Sequence, residues 1–346
     1  MQTRIHILFV TIGFIFIAGF GVAQDFHLSQ YDANPLYLNP ALTGQRMNED
    51  WDIRANANYR EQWNKLMGGP YATVSAGFDM PLNKKFSIGQ FVIDNKGVSG
   101  SFNTFNLMVA GAYKITHADE NHHHNLSVGL QMGFLQKSFN PGNFVFDAQY
   151  SSSAPSGFDE DLPSGEKFRK LSFFNFDANM GMYYRFIDKD KKYSPFAGFS
   201  IYHLNQPKDA VIGSKSTTPA RFTLHGGCDF TIRNDFRIQP QVLYMNQANA
   251  SELNTGILGF YKLPASNYEP MLGFAWRQND AIVLHLGLKQ KNYFFRMSYD
   301  VTTSYLQQYN KGMGALEFSL ICTGKIKNFP VAKNLPAEVD KSEIQK

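Results

Sequence analysis

Leu171-Ser172-Phe173-Phe174-Asn175-Phe176-Asp177-Ala178-Asn179-Met180-Gly181-Met182-Tyr183-Tyr184-Arg185-Phe186 is the stretch that decides the fold. Phe174, Phe176, Ala178, Met180, Met182, Tyr184 and Phe186 share one parity. Asn175, Asp177, Asn179, Gly181, Tyr183 and Arg185 share the other. A strand sends successive side chains to opposite faces. One face here suits lipid and the other suits water.

The same alternation recurs outward from this stretch. Trp51, Ile53, Ala55, Ala57 and Tyr59 oppose Asp52, Arg54, Asn56, Asn58 and Arg60. Comparable patterns fill 71–80, 125–138, 220–232 and 313–322. Weaker ones fall near 86–95, 103–115, 194–204, 236–247, 252–262, 268–278, 280–289 and 292–301, which makes fourteen segments. A soluble β-sandwich also alternates, but its strands are mostly about 5–6 residues. These run to roughly ten, the length a tilted membrane strand needs. The expectation is an all-β chain, a transmembrane antiparallel β-barrel over 51–322.

Connector lengths orient it. Those at 81–85, 188–192 and 233–235 are short, and those at 139–170, 205–219 and 302–312 are long. Outer-membrane barrels keep short turns in the periplasm and long loops outside. The arm 24–50 and the tail 323–346 then start in the periplasm or enter the lumen.

Composition agrees. Among 346 residues there are 31 Phe and 17 Tyr, and only 18% are charged. Mean hydropathy is −0.30, far below that of a helical membrane protein. Residues 1–23 read as a signal peptide: Arg4 is the basic start, Ile7 to Phe20 the apolar run, and Gly21-Val22-Ala23 the small-residue cleavage site. An uncleaved anchor helix is the rival reading. No other stretch approaches the roughly 18 apolar residues of a spanning helix, so an integral mature chain must cross with strands. Localisation follows as the outer membrane, with the lipid bilayer as one partner, after export by the general secretory pathway.

Chemistry is sparse. The net charge of +4 is spread along the chain with no nucleic-acid pattern. Cys228 and Cys322 match no metal spacing and sit on apolar strand faces. His122-His123-His124 reads as a polar turn, and Asp159-Glu160-Asp161 as a solvated loop without EF-hand spacing. The water-facing parity carries Arg54, Arg60, Asp79, Asp177, Arg185, Arg221, Asp229, Arg296, Asp300 and Glu317. Cross-strand pairing is expected to satisfy most of them. No nucleophile elbow, zinc-protease motif or phosphate loop occurs, so the chain is read as neither an enzyme nor a cofactor protein.

Several segments resemble the PorP/SprF family of outer-membrane proteins associated with type IX secretion and gliding motility. They are Ser29-Gln30-Tyr31, the run Asn34-Pro35-Leu36-Tyr37-Leu38-Asn39-Pro40-Ala41-Leu42-Thr43-Gly44, Arg60-Glu61-Gln62-Trp63, and Phe146-Asp147-Ala148-Gln149. Further along come Gly198 to Pro207 (with His203, Asn205 and Pro207), Gln239 to Tyr244, Ser298-Tyr299-Asp300, and Leu316 to Leu320. The charged tail after Leu320 departs from the pattern. Asn39-Pro40-Ala41 also resembles the N-terminal hatch of FadL-like barrels. The resemblance implies a partner: a large secreted, adhesin-like cargo with a C-terminal type IX sorting domain, exported or retained at the cell surface. It also implies contact with periplasmic or other outer-membrane secretion components. A pore, or a FadL-like transporter of small or hydrophobic molecules, is the alternative.

Two segments are candidate functional regions. The arm 24–50 lacks alternation, and Pro35 and Pro40 forbid regular pairing. Leu36-Tyr37-Leu38 is too apolar for a free arm, which suggests a plug built on Asn34, Pro35, Leu36, Asn39, Pro40, Ala41 and Gly44. A loose lead-in is the rival. The long loop carries Phe144, Phe146, Asp147, Gln149, Tyr150 and Phe158, candidates to face a cargo, with a self-packed lid as the rival.

Overall fold

The computed structural model describes residues 25–46, 51–63, 69–97, 100–116, 123–166, 171–188, 192–209 and 217–326. The expected signal peptide, His122 and most of the tail lie outside them. Fourteen strands follow in order: β1 Ile53–Gln62, β2 Tyr71–Pro81, β3 Phe86–Gly97, β4 Phe102–Thr116, β5 His124–Phe139, β6 Ser172–Phe186 and β7 Tyr193–Tyr202. The second half holds β8 Arg221–Arg233, β9 Phe236–Gln247, β10 Ala250–Tyr261, β11 Tyr268–Arg277, β12 Ala281–Gln290, β13 Tyr293–Thr302 and β14 Met313–Gly324. Each pairs antiparallel with its sequence neighbours, and β14 returns to β1 from Ile53↔Gly324 to Gln62↔Ala315, closing the barrel. Closure satisfies the backbone groups that lipid cannot. No described helix is long and apolar enough to cross a membrane.

Alternation decides which way each strand faces. On β6, Phe174, Phe176, Met180 and Met182 point out and are exposed on the isolated chain, while Asp177, Asn179 and Arg185 are buried inside. Aromatic residues open β3, β7, β11 and β13 at the short-turn end: Phe86, Tyr193, Tyr268 and Tyr293, all exposed outward. Such a row is the girdle that sits at a lipid headgroup level. Cys228 and Cys322 are free thiols.

Most of the inward charges pair across the barrel wall as expected, Arg185 with Asp229 among them, and two do not. Arg54 does pair with its cross-strand neighbour Asp79 at 2.8 Å, and Arg60 with Glu317 at 2.9 Å. Arg221 and Arg296 instead reach Asp25 and Asp32 of the N-terminal arm, at 3.1 and 2.6 Å. Strand parity shows which side chains face inward, but not that a non-strand segment fills the interior and takes up their charges.

One seam of the barrel is incomplete. β5 and β6 pair up to Ser138↔Ser172, but β6 and β7 pair only between Arg185↔Phe196 and Met180↔Ile201. β7 stops at Tyr202, where His203 turns the chain with φ +57°.

Candidate functional site

The arm occupies the lumen. Its local shape follows from its prolines: Pro35 starts a single helical turn, Pro35–Leu38, and Pro40 starts a tighter one, Pro40–Leu42. Proline suits the first position of a turn because that N–H has no intrahelical partner. Asn39 joins the two in extended form, its side chain accepting from the Ala41 N–H.

The arm runs the length of the barrel. Asp25 lies at the long-loop end, its N–H donating to Gln247 and its carboxylate 2.8 Å from His203. Ser29 Oγ sits 2.8 Å from Asp300, and the Ser29 and Gln30 N–H groups both donate to Glu317. Arg60 bridges Asp300 and Glu317, and Arg277 adds a second cation on Asp300 at 2.7 Å. Lower down, Asn56 and Ser75 donate to Asn34 Oδ1, and Gln131 donates to the Leu36 carbonyl. Arg221 donates to the Tyr37 hydroxyl and lies over the Tyr37 and Tyr202 rings, at 4.7 and 4.2 Å. At the short-turn end the Gly44 N–H donates to Asp79, and Arg54 reaches the Leu42 carbonyl.

The barrel wall is shaped for the arm. A Cβ on Gly129 would stand 2.3 Å from Pro40, and one on Gly181 would stand 2.0 Å from Asn39 Oδ1. One on Gly198 would meet His225 at 2.2 Å. These inward glycines of β5, β6 and β7 form a socket for Asn39-Pro40. There Asn39 Nδ2 donates to the Met182 and Phe199 carbonyls and lies 3.2 Å from His225 Nε2. Beneath the arm, toward the short-turn end, is a cavity of about 420 Å³ lined by Trp51, Arg185, Phe196, Arg237, Phe260 and Phe294 among others. Arg237 lies 3.5 Å over the Phe260 ring.

The arm's outer end carries a titratable lock. His203, just beyond β7, contacts Asp25 and Asp177 at 2.8 Å each, while Arg221 also faces Asp25. Burial works against the His203 imidazolium, but the two carboxylates outweigh it and push its pKa up to about 9. Burial would raise Asp25, yet His203 and Arg221 hold it well below the usual carboxylate range. The His203 contribution is therefore complete below the ordinary 6.5 and is lost as pH rises through about 9. That of Asp25 is complete above 3.8 and lost only in strong acid. Hydrogen exchange corrected for intrinsic rates should show residues 25–31 protected at neutral pH and less so near pH 10. In His203→Gln the protection should be weaker at neutral pH and lack this step. A profile equally flat in both proteins would exclude the lock.

The predicted arm residues Asn34, Pro35, Leu36, Asn39, Pro40, Ala41 and Gly44 thus converge in the lumen, buried. His203 and Asp300 join them, whereas Tyr299 points outward from β13 at 38% exposure. Asn205 bonds the β6 backbone, and the Pro207 carbonyl accepts from Thr218. The long loop is a separate region held by its own contacts. Gln149 is buried and donates to the Glu160 and Leu162 carbonyls, and Tyr150 packs edge-on to Phe158. Phe144 packs on Phe102 and Phe139, Phe146 N–H bonds Gln149, and Asp147 opens a short turn on the exposed side. Sequence reasoning missed Arg277, His225, Arg237 and the glycine socket. Their inward parity was readable, but not that Arg277 and His225 meet the arm and that Arg237 lines the cavity beneath it. Among the described residues, no three His, Cys, Asp or Glu side chains group as a metal site.

A closed fourteen-stranded barrel with an apolar outer face and a filled interior is an integral outer-membrane protein. Its sequence carries the identification one step further. The chain belongs to the type IX secretion system membrane protein PorP/SprF family, whose model matches residues 21–320.

Solved structures similar to it include the Ralstonia pickettii toluene transporter TbuX, at 10% identity and TM-score 0.48, covering 84% of this chain and 92% of that one. The CymD monoaromatic hydrocarbon channel is 13% identical, with TM-score 0.46 and coverage of 89% and 96%. A Pseudomonas aeruginosa FadL homologue is 13% identical, with TM-score 0.44 and coverage of 84% and 93%. No curated protein matches the chain by sequence. The family is one of secretion membrane proteins, and membership implies contact with other components of the secretion machinery.

Proposed function

We propose that this barrel binds a large secreted protein through that protein's C-terminal sorting domain and supports its export or its retention at the cell surface. Residues 1–23 direct the chain to export in this reading, and 24–50 act as the plug. The observation that carries it is the filled lumen. A barrel of the type IX family whose interior is taken up by its own chain, with Ser29, Gln30 and Asn39 bonded to the wall, offers a partner its outer rim in place of a conduit. Adhesin-like cargo and a link to gliding belong to this proposal.

Affinity purification of the tagged protein from native outer membranes in mild detergent tests it. The expected result is near-stoichiometric recovery of one large surface protein with a sorting domain. A barrel that returns alone and conducts ions would sink the proposal. A second prediction concerns the long loop. Deleting 150–168 should reduce display of the co-purifying protein on intact cells, measured by surface labelling, while the barrel level stays unchanged. Unaltered display would remove the loop from the docking surface.

The cavity beneath the arm supports a second reading, transport of a small molecule. Its rings and guanidinium groups suit a compact ligand with an apolar body. Uptake of such a ligand into vesicles holding the purified barrel would favour it.

A further inference from the structure

We propose that the outer half of β6 is a docking edge, to which an extended strand of the secreted partner adds by backbone pairing. This rests on the cargo-binding reading above and locates where the contact is made.

β4, β5 and β6 have 15, 16 and 15 residues, whereas β7 has 10. A tilted strand crosses the hydrocarbon in about 9–11 residues. Counted from Phe186 at the short-turn end, β6 has crossed by Phe176, so Phe174 and Ser172 stand above the membrane. There β6 is fully paired on its β5 side, but pairing with β7 has ended at Met180.

In an antiparallel strand alternate residues aim both backbone groups at the same neighbour. Met180, Met182 and Tyr184 face β7 in this way, so Ala178, Phe176, Phe174 and Ser172 face the same side. On that side the first two are met by the Asn205 side chain and the Leu204 amide, and the Ala178 N–H also donates to Asp177 Oδ1 at 3.0 Å. Asn205 Oδ1 accepts from the Ala178 N–H at 3.2 Å, and Asn205 Nδ2 donates to the Phe176 carbonyl at 2.7 Å. The Leu204 N–H donates to the Ala178 carbonyl at 2.9 Å. The Asn205 amide thus stands where the peptide of a neighbouring strand would be.

Beyond Asn205, no described strand lies beside Phe174 and Ser172. The chain at Lys208 passes on the inward side, where its carbonyl accepts from the Asn175 side chain. Proteins normally blunt such edges with lysine, proline or a bulge. Ser172-Phe173-Phe174-Asn175-Phe176 has no charge and no proline, and its ladder to β5 has no break in register. Phe174 is 64% exposed and stacks on the outward-facing Phe134 at 4.7 Å. Rings above the membrane need a cover. A lipid could cover them but carries no row of donors and acceptors at strand spacing. An extended segment with alternating apolar side chains matches both the rings and the backbone groups.

The test uses the full barrel in native outer membranes. A benzophenone amino acid is placed at Phe174, or at the outward-facing Leu284 on β12 as a control. Light should give an adduct at 174 and none at 284, its attached peptide coming from the same large protein that co-purifies with the wild type. Phe174→Pro removes an N–H aimed at the open side and leaves the β5 ladder intact. It should lower partner yield roughly tenfold or more, with the barrel still resistant to SDS. Phe174→Ala keeps that N–H and should lose less. If the wild type recovers no partner, the cargo-binding reading itself falls. If a partner is recovered but Phe174→Pro yields as much and 174 gives no adduct, the edge is overturned and the reading stands. An adduct of two barrel copies would also overturn it, showing self-association.

Discussion

The wild-type barrel should be silent in a planar bilayer, and Gly181→Val should make it conduct ions. The Cβ of any larger residue there would lie 2.0 Å from Asn39 Oδ1 and 3.1 Å from Pro40. The β6 backbone cannot retreat, because it is paired with β5 and β7 at this point, Gly181↔Gly129 and Gly181↔Ser200. The arm must therefore yield. Asn39 then loses its bonds to the Met182 and Phe199 carbonyls. Losing two buried hydrogen bonds costs about 1–3 kcal/mol each. The ratio of seated to unseated arm should fall by roughly 30- to 10⁴-fold, since each 1.4 kcal/mol is tenfold. Gly111→Val is the control, because a Cβ there meets nothing within 4 Å. It should stay silent. Equal silence from both variants, each folded by its gel mobility, would show that the arm does not depend on this socket.

Arg60→Met should produce the largest loss of stability. Arg60 is 1% exposed and holds Glu317, Asp300, Gln62 and Ser29 together. Its removal leaves two buried carboxylates with fewer cations. Breaking a buried pair in this way costs about 3–5 kcal/mol. The temperature at which the folded band gives way to the unfolded one on semi-native gels should drop clearly. Glu317→Gln should lose less, because an amide can still accept from the Ser29 N–H while Arg60 keeps Asp300. A transition unchanged in Arg60→Met would mean that water replaces the guanidinium at no cost.

Strand count and facing were legible in this sequence because parity is a local signal, and Phe174 to Phe186 carry it without interruption. The family was legible because its motifs recur in order along most of the chain. The socket was not. Gly129 and Gly181 fall on the water-facing parity, where a small residue looks like any other, and their meeting is a matter of register across β5 and β6. The partners of Arg221 and Arg296 were hidden for a related reason: Asp25 and Asp32 belong to a segment with no periodicity to place them. The unpaired half of β6 was equally unreadable, since alternation continues whether or not a neighbour is present.

The contacts of Ser29 and Gln30 also set an order of assembly. Both residues bond Glu317 of the final strand, 288 and 287 positions away in sequence, at the seam where β14 meets β1. Asp25 can already be held by His203, Arg221 and Gln247, but Ser29 and Gln30 cannot make these bonds until the last strand has arrived. Contacts this distant in sequence form late in folding. Until then the unfinished barrel stays open along one side, with Ser29 and Gln30 lacking their bonds to Glu317. The stroke that zips the wall shut is also the one that locks the occupant in, so a chain truncated before Glu317 would lose wall and lock together.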